Sequence, residues 1–164
     1  MLSPGVDAGP ALAGFGVSVA LNPDPGSDMA ASVRAGLGAI GAGATGVLVC
    51  LADHPLVSVE SVQSLTAAHR RRPDAVLIPV YGGRRGHPAL FPAALIGEVL
   101  AGRTLREVQE AHRARVVEWE VPDDGVLFDM DTWEDYRQAC ERAARSGPPA
   151  RRSCVALQRG GETR

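Results

Sequence analysis

The sequence predicts an α/β domain in which a mostly parallel sheet carries helices on both faces. Short apolar runs alternate with amphipathic segments along the chain, which is the pattern of this class. The run at 46–52 is almost continuously apolar, as expected of a strand that is buried on both faces. It ends abruptly at Asp53, and Pro55 stops a regular continuation. Such a strand delivers a carboxylate to the carboxyl edge of the sheet.

Four segments have the composition of strands. The first and last alternate between apolar and polar residues, whereas the two middle ones are continuous apolar runs. The expected strands are 15–21, 47–52, 74–79 and 116–121. A glycine-rich turn at 82–88 separates the third strand from a short apolar run at 89–91.

Five segments have a helical period or a helix-start signal. Apolar side chains recur at spacings of three and four in the first, where Ser27 or Asp28 is the expected cap. Ser58 is expected to cap the second, and Thr104 with Glu107 fits a capping box. The expected helices are 28–39, 58–71, 93–100, 104–112 and 132–145.

The domain is expected to occupy 15–145. Residues 1–14 are rich in Gly, Pro and Ala and are interpreted as a loose lead-in. Residues 146–164 are basic, contain Gly and Pro, and have no apolar period, so a disordered tail is predicted.

Composition excludes several function classes. The net charge of -2 over 164 residues argues against a nucleic-acid-binding surface or an anionic-membrane anchor. All 17 basic residues are Arg, so neither a lysine Schiff base nor a P-loop lysine is available in this sequence. Three scattered Cys indicate reduced thiols, and we see no signal peptide and no membrane-length apolar stretch, so a cytoplasmic protein is expected.

Acidic residues follow two of the apolar runs. Asp53 follows the second strand, and Asp129 and Asp131 lie just before the last helix. Two carboxylates at one sheet edge suit Mg²⁺, which prefers hard oxygen ligands. Alternatively, Asp53 is a turn acid, and the downstream pair starts the helix at Thr132, where acids favour the positive end of the helix dipole.

Five short motifs together resemble a known family, the MobA-like nucleotidyltransferases, and within it the molybdenum cofactor cytidylyltransferases. The resemblance covers about 16–139. The motifs occur in the family's order and at plausible spacing. They are Asn-Pro at 22–23, Met-Ala-Ala-Ser-Val-Arg-Ala-Gly-Leu at 29–37, Leu-Ala-Asp-His-Pro-Leu at 51–56, Gly-His-Pro-Ala-Leu-Phe at 86–91 and Asp-Met-Asp-Thr-Trp-Glu-Asp at 129–135.

The resemblance implies a Rossmann-like fold and transfer of a nucleoside monophosphate, CMP in the closest group, from an NTP to a phosphorylated acceptor such as molybdopterin cofactor, with release of pyrophosphate. It implies Mg²⁺ on Asp53 and on Asp129 or Asp131, with Asp53 and Asp129 as catalytic residues. A client molybdoenzyme is a further possible partner. The residues implied at the acceptor side are Ser32, Arg34, Gly86, His87 and Pro88.

One part of the family pattern has no counterpart in this sequence. Family members open with a strand and a glycine-rich loop that binds the NTP, and no such segment precedes 15–21. The sheet is therefore expected to lack its first βαβ unit. Two alternatives follow: a non-catalytic remnant that binds a phosphorylated ligand or a partner protein, and a nucleotidyltransferase for a sugar or alcohol phosphate.

Overall fold

The structure, a computed structural model, describes residues 12, 14–24, 26–41 and 43–146. The chain divides into two compact units, Met1–Asp129 and Met130–Arg164. The predicted lead-in at 1–14 lies outside the described residues apart from 12 and 14, and the predicted disordered tail lies outside them apart from 146. The predicted domain limits, 15 and 145, stay a prediction.

Helices and strands are interspersed along the described chain, with three consecutive strands and then two consecutive helices in its middle. The helices are α1 (Met29–Gly38), α2 (Val59–Arg71), α3 (Ala93–Leu100), α4 (Leu105–Ala111) and α5 (Trp133–Ser146). The strands are β1 (Gly46–Val49), β2 (Val76–Tyr81), β3 (Arg84–Arg85), β4 (Ala89–Pro92) and β5 (Val116–Glu120). Two 3₁₀ turns cover Arg113–Arg115 and Asp124–Leu127. No helix in the described part of the chain is long and apolar enough to cross a bilayer.

The sheet is mixed, and this refines the prediction of a mostly parallel sheet. Strands β1, β2 and β5 run in one direction, but β4 lies between β1 and β2 and is antiparallel to both. The short β3 pairs with the end of β2 through a turn at Gly82 and Gly83, whose φ angles of +56° and +76° suit glycine. The apolar run at 89–91 is thus a central strand, which its three residues did not reveal.

Helices cover both faces of the sheet, which confirms the predicted α/β architecture. Because side chains alternate along a strand, Val76 and Ile78 of β2 lie in one core and Leu77 lies in the other. Helices α1, α3 and α4 contribute to the first core, and α2 contributes Leu65 and Ala68 to the second. Phe91 of β4 has no exposed surface, so the centre of the sheet is fully buried at this residue.

The predicted strand at 15–21 is wrong. These residues form an irregular segment with a single bridge position at Leu21. The four alternate apolar side chains Phe15, Val17, Val19 and Leu21 are between 50% and 68% exposed. Apolar alternation fits a pleated, half-buried strand only where a neighbouring strand accepts the backbone hydrogen bonds, and the described residues provide no ladder here.

Candidate active site

Three loops meet at one edge of the sheet because of the strand directions. Asp53 lies shortly after the carboxyl end of β1. Strand β4 is antiparallel to β1, with Val49 opposite Ala89, so the residues that precede β4 lie beside the residues that follow β1. Strand β5 is parallel to β2, and the segment that follows it reaches the same edge at Asp129. Antiparallel β4 therefore brings the glycine turn to the acidic edge.

Asp53, His54 and Asp129 form a cluster that fits a metal ion. One ligand atom from each lies within 4.8 Å of the others. The Oδ1 atom of Asp53 is buried and has no hydrogen-bond partner among the described residues. An unpartnered buried carboxylate oxygen is costly unless a cation or donor satisfies it, so the donor set suits a divalent cation.

His87 lies against this cluster. Its ring centroid is 5.0 Å from that of His54, with the two planes inclined by 58°. Burial lowers the pKa of His87, and the nearby His54 lowers it further, although Asp53 and Asp129 act in the opposite direction. The imidazole is therefore neutral at neutral pH and can use one ring nitrogen as donor and the other as acceptor.

Backbone contacts hold the Gly86–His87–Pro88 turn in place. The N–H of Gly86 donates to the Pro79 carbonyl and that of His87 donates to the Val126 carbonyl, both at 2.8 Å. A Cβ atom at Gly86 would overlap the Val126 carbonyl, so only glycine permits this approach. Pro88 is buried and follows a cis peptide bond. The predicted turn thus has a fixed position beside the acids.

Asp123 joins the loop after β5 to the start of α2. Its Oδ2 accepts hydrogen bonds from the Ser58 N–H at 2.9 Å and the Ser61 hydroxyl at 2.7 Å, and its Oδ1 accepts from the Gly125 N–H at 2.9 Å. Partial burial disfavours the charge, but the hydrogen bonds from Ser61, Ser58 and Gly125 together hold the pKa of Asp123 below its usual value. This carboxylate fixes the 3₁₀ turn that carries Val126.

Ser32 and Arg34, the predicted acceptor-side residues, lie on α1. The Ser32 hydroxyl accepts a hydrogen bond from the buried Asn22 amide at 2.9 Å, and Arg34 lies 4.0 Å from Asp28. Both contacts connect α1 to the segment that precedes it. The substrate-binding roles of Ser32 and Arg34 stay predictions.

Asp131 belongs to the second unit and lies at the start of α5. The next residue, Thr132, forms a reciprocal cap with Asp135, whose Oδ2 accepts from the Thr132 N–H at 2.8 Å and hydroxyl at 2.6 Å. The Asp135 N–H donates back to the Thr132 hydroxyl at 3.2 Å, so the two residues form a capping box. The metal-binding role of Asp131 stays a prediction, as do the catalytic roles of Asp53 and Asp129.

Sequence reasoning missed two residues of this region. His54 had no recognisable partner in the sequence, although its position directly after Asp53 was a usable signal. Asp123 gave no signal at all, since its partners Ser58 and Ser61 lie more than 60 residues away, at separations of 65 and 62.

The fold is an α/β domain, and an acidic cluster lies at one edge of its sheet. Residues 3–126 match the MobA-like NTP transferase domain, which is most of the chain, and the chain belongs to that family. The expected family is thereby confirmed. No curated protein matches the chain significantly.

Three solved structures are similar to this chain in fold. A homolog of Mycobacterium tuberculosis Rv0371c from Mycobacterium sp. strain JC1 is 21% identical, with a TM-score of 0.66, over 86% of this chain and 73% of that one. Rv0371c from M. tuberculosis is 29% identical, with a TM-score of 0.65, over 82% and 72%. Rv0371c in complex with manganese is 23% identical over 67% and 59%, with a TM-score of 0.51.

Proposed function

We propose that this protein transfers a nucleoside monophosphate from an NTP to a phosphorylated small-molecule acceptor and releases pyrophosphate. The observation that carries the proposal is the convergence of Asp53 and Asp129, with an unpartnered buried oxygen on Asp53, in a MobA-like domain. Carboxylates that converge in this way suit a cation that neutralises phosphate charge. Phosphoryl-type transfer depends mainly on such positioning and charge stabilisation.

Asp53 and Asp129 would hold a divalent cation, and Mg²⁺ is the ion that the sequence predicted. When bound there, the cation would supply stabilisation of the negative charge that develops on the α-phosphate and the leaving pyrophosphate. A solved Rv0371c structure contains manganese, which supports a divalent cation in this family. Asp131 is the alternative downstream ligand from the sequence.

The glycine turn would orient the acceptor. Burial lowers the pKa of His87 and a backbone hydrogen bond to Val126 holds the residue, so its imidazole would contact a phosphate oxygen or a hydroxyl of the acceptor. The lack of a side chain at Gly86 lets the turn pack against the Val126 carbonyl, and Pro88 in the same turn is buried. Arg34, whose side chain is 32% exposed and lies 4.0 Å from Asp28, would bind a second phosphate group through its charge. Ser32 lies two residues before it on α1 and would border the same acceptor.

The family resemblance favours CTP as donor and molybdopterin cofactor as acceptor, with a client molybdoenzyme as a possible recipient of the product. A sugar-phosphate or alcohol-phosphate acceptor would use the same chemistry. A non-catalytic remnant that binds a phosphorylated ligand or a partner protein is the alternative of a different class. The two acceptor classes would give different nucleotidylated products, and a non-catalytic remnant would give none.

The test is a nucleotidyl-transfer assay with CTP, GTP or ATP, a divalent cation and each acceptor class, with pyrophosphate release as the readout. We expect release with one NTP in wild type and loss of release in Asp53→Asn. Glu110→Gln is the control, because this α4 carboxylate is 80% exposed and should not affect turnover. Unchanged turnover in Asp53→Asn would refute the assigned role. No turnover with any substrate, from folded wild type, would favour the remnant.

A further inference from the structure

We propose that His54 is a third ligand of the metal site, so that the site binds its cation through two carboxylates and one imidazole. This inference rests on the proposed function, since it concerns the same site. It changes the chemical class of the site from all-oxygen to mixed nitrogen and oxygen. Such a site would favour a transition-metal divalent cation, such as Mn²⁺, over Mg²⁺.

The geometry of the cluster carries the proposal. A ring nitrogen of His54 lies within 4.8 Å of a carboxylate oxygen of Asp53 and of one of Asp129, which also lie within that distance of each other. A single ion placed among three such atoms needs only small side-chain movements to reach normal bond lengths of roughly 2.0–2.2 Å. No other group of three or more potential ligands converges in this way among the described residues.

Asp53 and His54 lie in the same tight turn after β1. The His54 N–H donates to the Leu51 carbonyl at 3.3 Å, so the two residues share one tight turn after β1. Within the described chain, the Nδ1 of His54 is buried without a hydrogen-bond partner, as is the Oδ1 of Asp53. One cation would satisfy both atoms, because the Nδ1 of a neutral histidine is an acceptor when the proton is on Nε2.

Another histidine of the first unit has an ordinary role for comparison. His112 lies 2.7 Å from Glu98 through its Nε2 atom, so this ring nitrogen has a carboxylate partner. His87 is the rival nitrogen ligand because its ring lies 5.0 Å from that of His54, and its Nδ1 is also buried and unpartnered among the described residues. His87 does not belong to the converging trio.

The ligand set determines which ions bind well. Mg²⁺ requires near-ideal octahedral oxygen coordination and usually binds one or two carboxylates plus water and phosphate. An imidazole ligand suits first-row transition metals, whose affinities for nitrogen ligands rise from Mn²⁺ toward Cu²⁺. Replacement of the imidazole by an amide oxygen should therefore decrease the preference for Mn²⁺ over Mg²⁺.

The experiment is electron paramagnetic resonance of the full chain with Mn²⁺ alone, in the absence of nucleotide. Pulsed spectra should show modulation from a coordinated imidazole nitrogen, and the modulation frequencies should change when all histidines are ¹⁵N-labelled. His54→Gln should lose this modulation, and His87→Gln should keep it. His112→Gln is the matched control. Circular dichroism checks that each variant is folded, and the isotope shift in wild type does not depend on any variant.

The outcomes distinguish the His54 ligand role, the metal site itself and the proposed transferase function. Bound Mn²⁺ without nitrogen modulation, or with modulation that only His87→Gln removes, would overturn the His54 assignment and leave the proposed transferase function intact. No Mn²⁺ binding by folded wild type would overturn the metal site itself. Nitrogen modulation lost in His54→Gln, together with no nucleotidyl transfer in the separate assay, would support the inference and refute the proposed function.

Discussion

The backbone N–H of His87 donates a hydrogen bond to the carbonyl oxygen of Val126 at 2.8 Å. The two residues lie in different loops, one between β3 and β4 and the other in the 3₁₀ turn after β5. A Cβ atom at the preceding Gly86 would overlap the same carbonyl. The position of the His87 ring beside Asp53 and Asp129 therefore depends on a contact between two loops.

Gly86→Ala should displace the turn and impair the site. We expect a loss of stability of about 1–3 kcal/mol from overpacking. Nucleotidyl transfer should fall by on the order of 100-fold, because a displacement near 1 Å is enough to misplace a reacting group. Chemical denaturation and initial rates would measure the two effects. Gly97→Ala is the control, since a Cβ at this α3 position meets nothing within 4 Å. Equal effects from the two variants would contradict the role of the Val126 contact.

Asp123→Asn should destabilise the fold in a pH-dependent manner. The folded pKa of Asp123 lies below its usual 3.8, so the ionised carboxylate contributes stability above that value and loses the contribution as the pH falls through the folded pKa. At neutral pH we expect a loss of about 1 kcal/mol for this partly exposed group. The difference in the free energy of unfolding between Asp123→Asn and wild type should become smaller at pH values below 3.8.

Urea denaturation across pH would measure this difference. Asp74→Asn is a suitable control, because Asp74 is 87% exposed and its nearest cation, on Arg115, is 3.7 Å away. A difference for Asp123→Asn that stays constant down to the lowest pH would show that the charge of Asp123 is not what stabilises the loop.

Asp129 and Asp131 should differ in their contribution to metal binding. Asp129 converges with Asp53 and His54, whereas Asp131 lies at the exposed start of α5. We expect Asp129→Asn to weaken Mn²⁺ binding, measured by titration calorimetry, and Asp131→Asn to leave it near the wild-type value. The reverse result would transfer the ligand role to Asp131, the residue that the sequence could not separate from Asp129.

A cognate nucleotide should stabilise the protein selectively. A ligand at 100 times its Kd adds about 2.7 kcal/mol, which corresponds to a Tm increase of about 5–10 °C for a chain of this size. Thermal scans with a divalent cation and CTP, GTP or ATP would identify the base, and CTP is expected. The increase should disappear in Asp53→Asn. Equal shifts with all three nucleotides would argue against base selection by this chain.

Local signals predicted most of the secondary structure. Caps at Asp28, Ser58 and Thr104 placed three helix starts to within a residue, because a cap is a contact between residues three positions apart. The prediction of a strand at 15–21 was wrong because apolar alternation does not specify a neighbouring strand. Strand β4 escaped prediction for the same reason, since its place between β1 and β2 depends on pairing across the sheet.

The sequence by itself determined the fold class, the family motifs and the candidate acids, since these depend on apolar periodicity and on short runs of adjacent residues. Only the tertiary structure decided that antiparallel β4 brings His87 to the edge where Asp53 follows β1, and that His54 and Asp129 converge there. The physical reason is distance along the chain. Side chains separated by tens of residues meet only through strand pairing and loop packing, which no local pattern encodes.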